Sequence, residues 1–182
     1  MKKDKIVQFV CFETPVNADA FISQWEQYND LVKIKQEVTL QQESEYKNRY
    51  QFISQHKYNA DEPNFIFKKG KRSSHILEVE MRVKEVGGYT PIQVEFSHDS
   101  EEDEYKIFLF LNANEADLKF FRKLPDYHYL NIYQAYFESC TYNYILEYFI
   151  ENKYAEQLIE LVKAENRNAE IGMYKECLVL EK

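Results

Sequence analysis

Apolar positions along the chain follow two rhythms, one of strands and one of helices. In residues 5–14, Ile6, Val7, Phe9, Val10 and Phe12 place apolar groups on both faces of an extended segment. Pro15 ends that strand, and Asn17 is placed to cap a helix. Over residues 18–32, Phe21, Ile22, Trp25, Tyr28 and Val32 recur at helical spacing. A polar stretch with weak alternation follows, and it firms into a strand over 50–58. Residues 59–63 form a turn, 64–68 another strand, and 71–79 fit a short helix or a loop. Residues 81–96 read as a strand, or a bent strand pair, around Gly87-Gly88.

An acidic run, with Asp99, Glu101, Glu102, Asp103 and Glu104, then interrupts the pattern. It has no glycine at which a calcium loop would turn, so a solvated linker is expected. The order then restarts. Residues 105–111 form a strand, and Asn114 caps a helix running to about Leu124, before Pro125. Strands over 129–138 and 142–150 flank a tight turn. A helix over 153–165 carries Leu158, Ile159, Leu161 and Val162 on its apolar side, and a strand over 170–180 closes the chain.

The halves resemble each other. Sliding Phe52 onto Asn131, a shift of 79, carries residues 52–67 onto 131–146 without a gap. Ile53 meets Ile132, Gln55 meets Gln134, Asn64 meets Asn143 and Lys68 meets Glu147. Gly87 and Tyr89 meet Gly172 and Tyr174 at a shift of 85, and Lys5-Ile6 meets Lys106-Ile107. The expected fold class is α+β, with two tandem ferredoxin-like βαββαβ repeats. Residues 1–97 form the first, 98–104 the acidic linker and 105–182 the second. Tyr50 and Phe52 are expected on one strand face and Ile53 on the other. Tyr144, Leu146, Tyr148 and Ile150 share one face, with Ile145 and Phe149 opposite. Strands apolar on both sides need two covers. Helices supply one, and the other repeat's sheet supplies the second.

On that element order and repeat, the chain resembles the dimeric α+β barrel superfamily, with both halves of a pseudo-dimeric α+β barrel fused in one chain. The resemblance spans nearly the whole sequence. It implies relatives that include cofactor-independent monooxygenases, haem-degrading enzymes, isomerases, haem peroxidases such as the chlorite dismutases, and proteins of no known chemistry. Fold therefore leaves function open. No catalytic pattern of one member family carries over position by position.

Composition narrows the classes. The net charge of −8 opposes nucleic acid, and the one basic cluster, Lys68 to Arg72, is short. No apolar run has membrane-spanning length, and the N-terminal segment lacks a signal peptide's apolar stretch. A cytoplasmic protein without nucleic-acid or membrane partners is expected, either a monomer with pseudo-twofold symmetry or a weak homodimer. Cys11, Cys140 and Cys177 lack metal or redox spacing and read as free thiols. The 15 tyrosines and 13 phenylalanines, against four glycines, favour strands with aromatic faces.

The candidate chemistry is sparse. His56, late in a strand on the face of Phe52 and Tyr58, is the candidate general base or haem ligand. The four histidines show no metal spacing, so neither a metal nor another cofactor is expected. Gln55 and Gln134 are polar groups inside apolar strands, placed to grip a ligand. Asn143 joins them, and Lys68 and Arg72 could hold an anion at a pocket rim. Two functional readings follow. One is a barrel binding a small organic molecule, with monooxygenase- or isomerase-like catalysis. The other is a non-catalytic interaction protein with a filled core.

Overall fold

The computed structural model describes residues 5–14, 19–23, 36–43, 48–59, 82–95, 104–165 and 168–181. The strand expected at 64–68, the ambiguous 71–79, most of the helix expected at 18–32, and the residues Lys68 and Arg72 lie outside these ranges. So does nearly all of the acidic run.

Eight described strands close on themselves. They are β1 (Lys5–Glu13), β2 (Gln36–Gln42), β3 (Phe52–Asn59), β4 (Arg82–Gln93), β5 (Glu104–Leu111), β6 (Tyr129–Ala135), β7 (Tyr144–Glu151) and β8 (Glu170–Glu181). Two helices, α1 (Glu115–Phe121) and α2 (Asn152–Glu165), lie between β5 and β6 and between β7 and β8. Residues 19–23 are also helical. The barrel order is β1-β3-β2-β8-β5-β7-β6-β4, and every pair is antiparallel. The protein is thus α+β with a closed eight-stranded barrel.

Strand alternation divides the apolar side chains between two cores. On β7, Tyr144, Leu146, Tyr148 and Ile150 face outward, while Ile145 faces the lumen. The outer core takes Leu118 and Phe121 from α1, and Ala155, Leu158, Ile159 and Val162 from α2. Those four fall at the i, i+3, i+4, i+7 spacing of one helix face. The Asn114 carboxamide accepts from the Ala116 and Asp117 amides, and the Asp117 carboxylate accepts from the Asn114 amide. This reciprocal cap starts α1 where the sequence places it.

The first half departs from expectation at β2. Its sequence, QEVTLQQ, has only two apolar residues and lies in the stretch read as polar with weak alternation. Backbone pairing to β3 on one side and β8 on the other makes it a strand. Consequently the strand read at 50–58 is third in its half, not second. It pairs with β1 as β7 pairs with β5. The gapless match at a shift of 79 therefore lays β3 over β6, which occupies a different place in the barrel. Hydrogen-bond register gives another correspondence. Phe9 faces Gln55 and Gly87 as Phe108 faces Glu147 and Gly172. In this register the Gly87–Tyr89 and Gly172–Tyr174 match survives, and Tyr50 corresponds to Tyr142. Tyr50 and Ile53 join the lumen core, while Phe52 stacks outside on Phe12 and Phe21. Tyr50 precedes the strand, so alternation does not bind it to the face of Phe52.

The glycines explain a close approach. A Cβ on Gly87 would lie 2.6 Å from the Tyr89 ring. One on Gly172 would lie 2.8 Å from the Asn48 amide nitrogen and 3.0 Å from the Tyr174 ring. The bare backbone lets each tyrosine lie back across the strand. Tyr89 then meets Phe9 edge-on at 5.5 Å, and Tyr174 meets Phe108 at 5.6 Å. Their hydroxyls cross between halves: Tyr89 donates to the Tyr142 carbonyl (3.2 Å) and Tyr174 to the Tyr50 carbonyl (2.8 Å). We expect Gly87→Ala and Gly172→Ala each to lower stability by about 1–3 kcal/mol through overpacking. Urea midpoints check this, and an unchanged midpoint in both variants counts against the tyrosine packing.

Candidate functional site in the barrel lumen

Five of the lumen's rings interlock. Phe9 meets Tyr89, Phe108 and Tyr133 edge-on, at 5.5, 6.3 and 5.0 Å between centroids, and Phe108 meets Tyr174. Edge-to-face contact sets the positive rim of one ring against the negative face of the next. Phe110 continues the wall towards Tyr50 and Tyr142.

A charged cluster sits within this apolar wall. Glu147 on β7 is 2% exposed and Lys106 on β5 is 2% exposed. The Glu147 carboxylate accepts from the Tyr133 hydroxyl (2.7 Å) and the Asn131 amide (3.1 Å), with the Lys106 ammonium 3.7 Å away. Lys106 also donates to Glu176 on β8 and lies over the Phe149 ring at 4.9 Å. Glu176, the most exposed member, leads from the buried pair towards solvent. Buried charges are tolerated only when paired and hydrogen-bonded, and Glu147 meets that demand with two hydrogen-bond donors and one ion-pair partner. Asn131 links the cluster to the barrel seam, since its side-chain oxygen accepts from the Glu95 amide. At that seam the β4–β6 register shifts beside Pro91, which has no N–H to give.

The exposed Arg49 donates to the Tyr50 and Tyr142 hydroxyls at 2.7 and 2.5 Å and faces both rings. Cys11 is buried in the wall. Burial first, and the Glu85 charge second, push its thiol up, so it is a packing residue and not a nucleophile.

The sequence-named candidates separate. Gln55 is buried in the lumen, on the face of Ile53. His56 is buried on the opposite, outward face with Phe52, with Gln8 as its register partner. Gln134 is exposed, not buried: it lies on the outward face one alternation past Ile132, which still belongs to the outer core. Asn143 is also exposed. It clamps two turns together, accepting from the Ala113 amide and donating to the Ala113 carbonyl. Lys68 and Arg72 lie outside the described residues. Lys106, Asn131, Tyr133 and Glu176 were missed, and Glu147 entered only as the repeat match of Lys68. The available signal was a charge inside runs apolar on both faces: lysine entering IFLFL and glutamate within YILEYFI.

No protein-family model matches the chain, and no curated protein matches it. Solved structures do. One, described as a "putative monooxygenase" from Fusobacterium nucleatum, is 13% identical, with a TM-score of 0.54 over 100% of this chain and 96% of that one. Another, described as an anthrone oxidase-like protein, is 9% identical, with a TM-score of 0.54 over 98% of this chain and 93% of that one. At these identities the shared property is the fold.

Two predictions follow from the lumen's chemistry. Lys106→Met leaves the Glu147 carboxylate buried without its cation and is expected to cost about 3–5 kcal/mol. Adding Glu147→Leu should restore most of that loss, and a denaturant titration of both variants checks it. The second concerns alkaline pH. Burial pushes the Tyr50, Tyr89, Tyr133, Tyr148 and Tyr174 phenols up, and at Tyr133 the Glu147 charge adds to it. The folded protein therefore keeps protons that the unfolded chain loses near pH 10. Their contribution to stability is complete below about pH 10 and is lost as pH rises further. Phenolate absorbance from these residues should appear only together with unfolding. Smooth ionisation of all of them in the native state would contradict their burial.

Proposed function

We propose that the protein is a small-molecule-binding α+β barrel whose ligand lies among the lumen's aromatic rings, with monooxygenase- or isomerase-like chemistry independent of a cofactor. One observation carries this reading: polar side chains, Gln55 and the Glu147 cluster, project into a lumen otherwise walled by aromatic and aliphatic side chains. A core made only for stability gains little from burying charge. A binding site needs a few fixed polar groups within apolar walls. Glu147, hydrogen-bonded by Tyr133 and Asn131 with Lys106 beside it, is the group placed to accept a proton or orient one, a role the sequence assigned to His56. The shared fold with the "putative monooxygenase" and the anthrone oxidase-like protein supports the class.

The barrel is read here as two fused βαββαβ repeats, with boundaries near 1–97 and 105–182 and a linker at 98–104. Support comes from the strand sequences β4-β1-β3-β2 and β8-β5-β7-β6, and from the paired Phe–Gly–Tyr groups at 9, 87, 89 and 108, 172, 174. The second functional reading, an interaction protein with a filled core, is favoured by the interlocked rings around Phe9.

A thermal-shift screen of small organic metabolites separates the two. Binding to the folded state raises Tm with ligand concentration, and we expect at least one such hit. Oxygen uptake or isomerisation of that hit, with no flavin, haem or metal added, would make the barrel an enzyme. A broad screen without a hit would favour the filled core.

A further inference from the structure

Gln55 and Glu147 occupy matching register positions, across from Phe9 and Phe108, but their surroundings differ. Glu147 has Asn131 and Tyr133 as donors and Lys106 as an ion-pair partner. In the first half the corresponding positions hold Val38, Leu40 and Val7. Valine and leucine are residue types without a hydrogen-bonding side chain. Gln55 is 5% exposed, and its amide nitrogen has no hydrogen-bond partner among the described residues. Buried donors are nearly always paired, and an unpaired one costs stability. The second half closes its polar position with an internal ionic cluster, and the first half leaves a donor facing the lumen.

The lumen also limits what that donor can meet. Phe9, the register partner of Gln55, touches Tyr133, whose hydroxyl holds Glu147. Phe9 and Tyr133 thus link the strand beside Gln55 to a cluster of two carboxylates and one ammonium. An anionic ligand would add to that excess negative charge in a medium that screens it poorly.

We propose that the Gln55 carboxamide anchors a ligand on the first-half side of the lumen, and that this ligand is a neutral, largely apolar molecule presenting a carbonyl oxygen, as a ketone, ester or amide does. Carboxylates of the same skeleton are excluded by charge. The inference rests on the small-molecule reading above and specifies its ligand class.

Three probes on one skeleton test it with the full-length protein: 9-fluorenone, fluorene and fluorene-9-carboxylate. Fluorenone should bind about tenfold more tightly than fluorene, the share of one hydrogen bond, and the carboxylate should bind least. On binding, the fluorenone carbonyl stretch should move to lower frequency. In Gln55→Leu the advantage over fluorene and the shifted stretch should both disappear. The ligand-free variant should melt no lower than the parent, because it loses an unpaired amide and opens little space. Gln55→Met, nearer the parent in length, should behave alike. Equal affinity for fluorenone and fluorene would overturn the proposal. So would an unchanged carbonyl stretch in both variants, or a marked fall in their ligand-free Tm, which is the mark of a structural amide. If no fluorenone binds while the broad screen gives other hits, Gln55 fails as the anchor and the binding barrel stands. If neither gives a hit, both fail.

Discussion

A strand that is apolar on both faces must be covered twice, and the architecture follows from that requirement. The segments IVQFVCF, IFLFL and YILEYFI leave no polar face for water. On their outer side the second half packs α1 and α2. On their inner side they enclose one another, because helices already occupy the only other cover. Closing eight strands into a ring gives each inner face a partner and makes the lumen a second core. The tyrosines at 89 and 174 tie that closure together by donating across to backbone carbonyls of the opposite half. Each does so only because a glycine two residues earlier leaves room for its ring.

The lumen also carries groups that stability alone would not select. A lysine between two glutamates, nearly removed from water, depends on complete pairing. The pairing draws on β5, β6, β7 and β8 together, so the cluster is sensitive to small movements of any of them. Asn131 extends that dependence to β4 through the Glu95 amide, at the seam where strand register shifts. Charge, register and barrel closure are thus coupled in the second half, whereas the first half meets the same positions with aliphatic side chains and an amide.

Much of the fold was legible in the sequence. The alternation of β7, the Asn114 cap and the stripe of α2, apart from Leu161, which is exposed, follow from side-chain periodicity, which is local and survives in the folded protein. The Gly–Tyr pairs were also found in register. β2 was not legible, because a strand held by neighbours on both edges needs little hydrophobic pattern of its own. Missing it displaced the correspondence between halves and set Gln55 against Gln134 instead of Glu147. Of the residues named as ligand contacts, Gln55 lies buried on the lumen face, whereas Gln134 and Asn143 are exposed. Whether a polar residue in a strand faces lumen, helix or water depends on where the strand sits and where its cover ends. The Lys106–Glu147–Glu176 group joins three strands distant in sequence, which no spacing rule reveals, although charge within doubly apolar runs was a clue.

Ring closure has a consequence for how the protein can meet other macromolecules. An open sheet ends in strands whose outer N–H and C=O groups invite another chain to add itself as a further strand. In this barrel each of the eight described strands is flanked on both sides by hydrogen-bonded neighbours, from β1 round to β4 and back to β1. The described strands therefore present no free main-chain edge to a peptide, and recognition at the barrel wall falls to side chains. Exposed apolar groups such as Tyr136, Phe137 and Val94 contribute to that outer surface without the templating hazard of a bare strand.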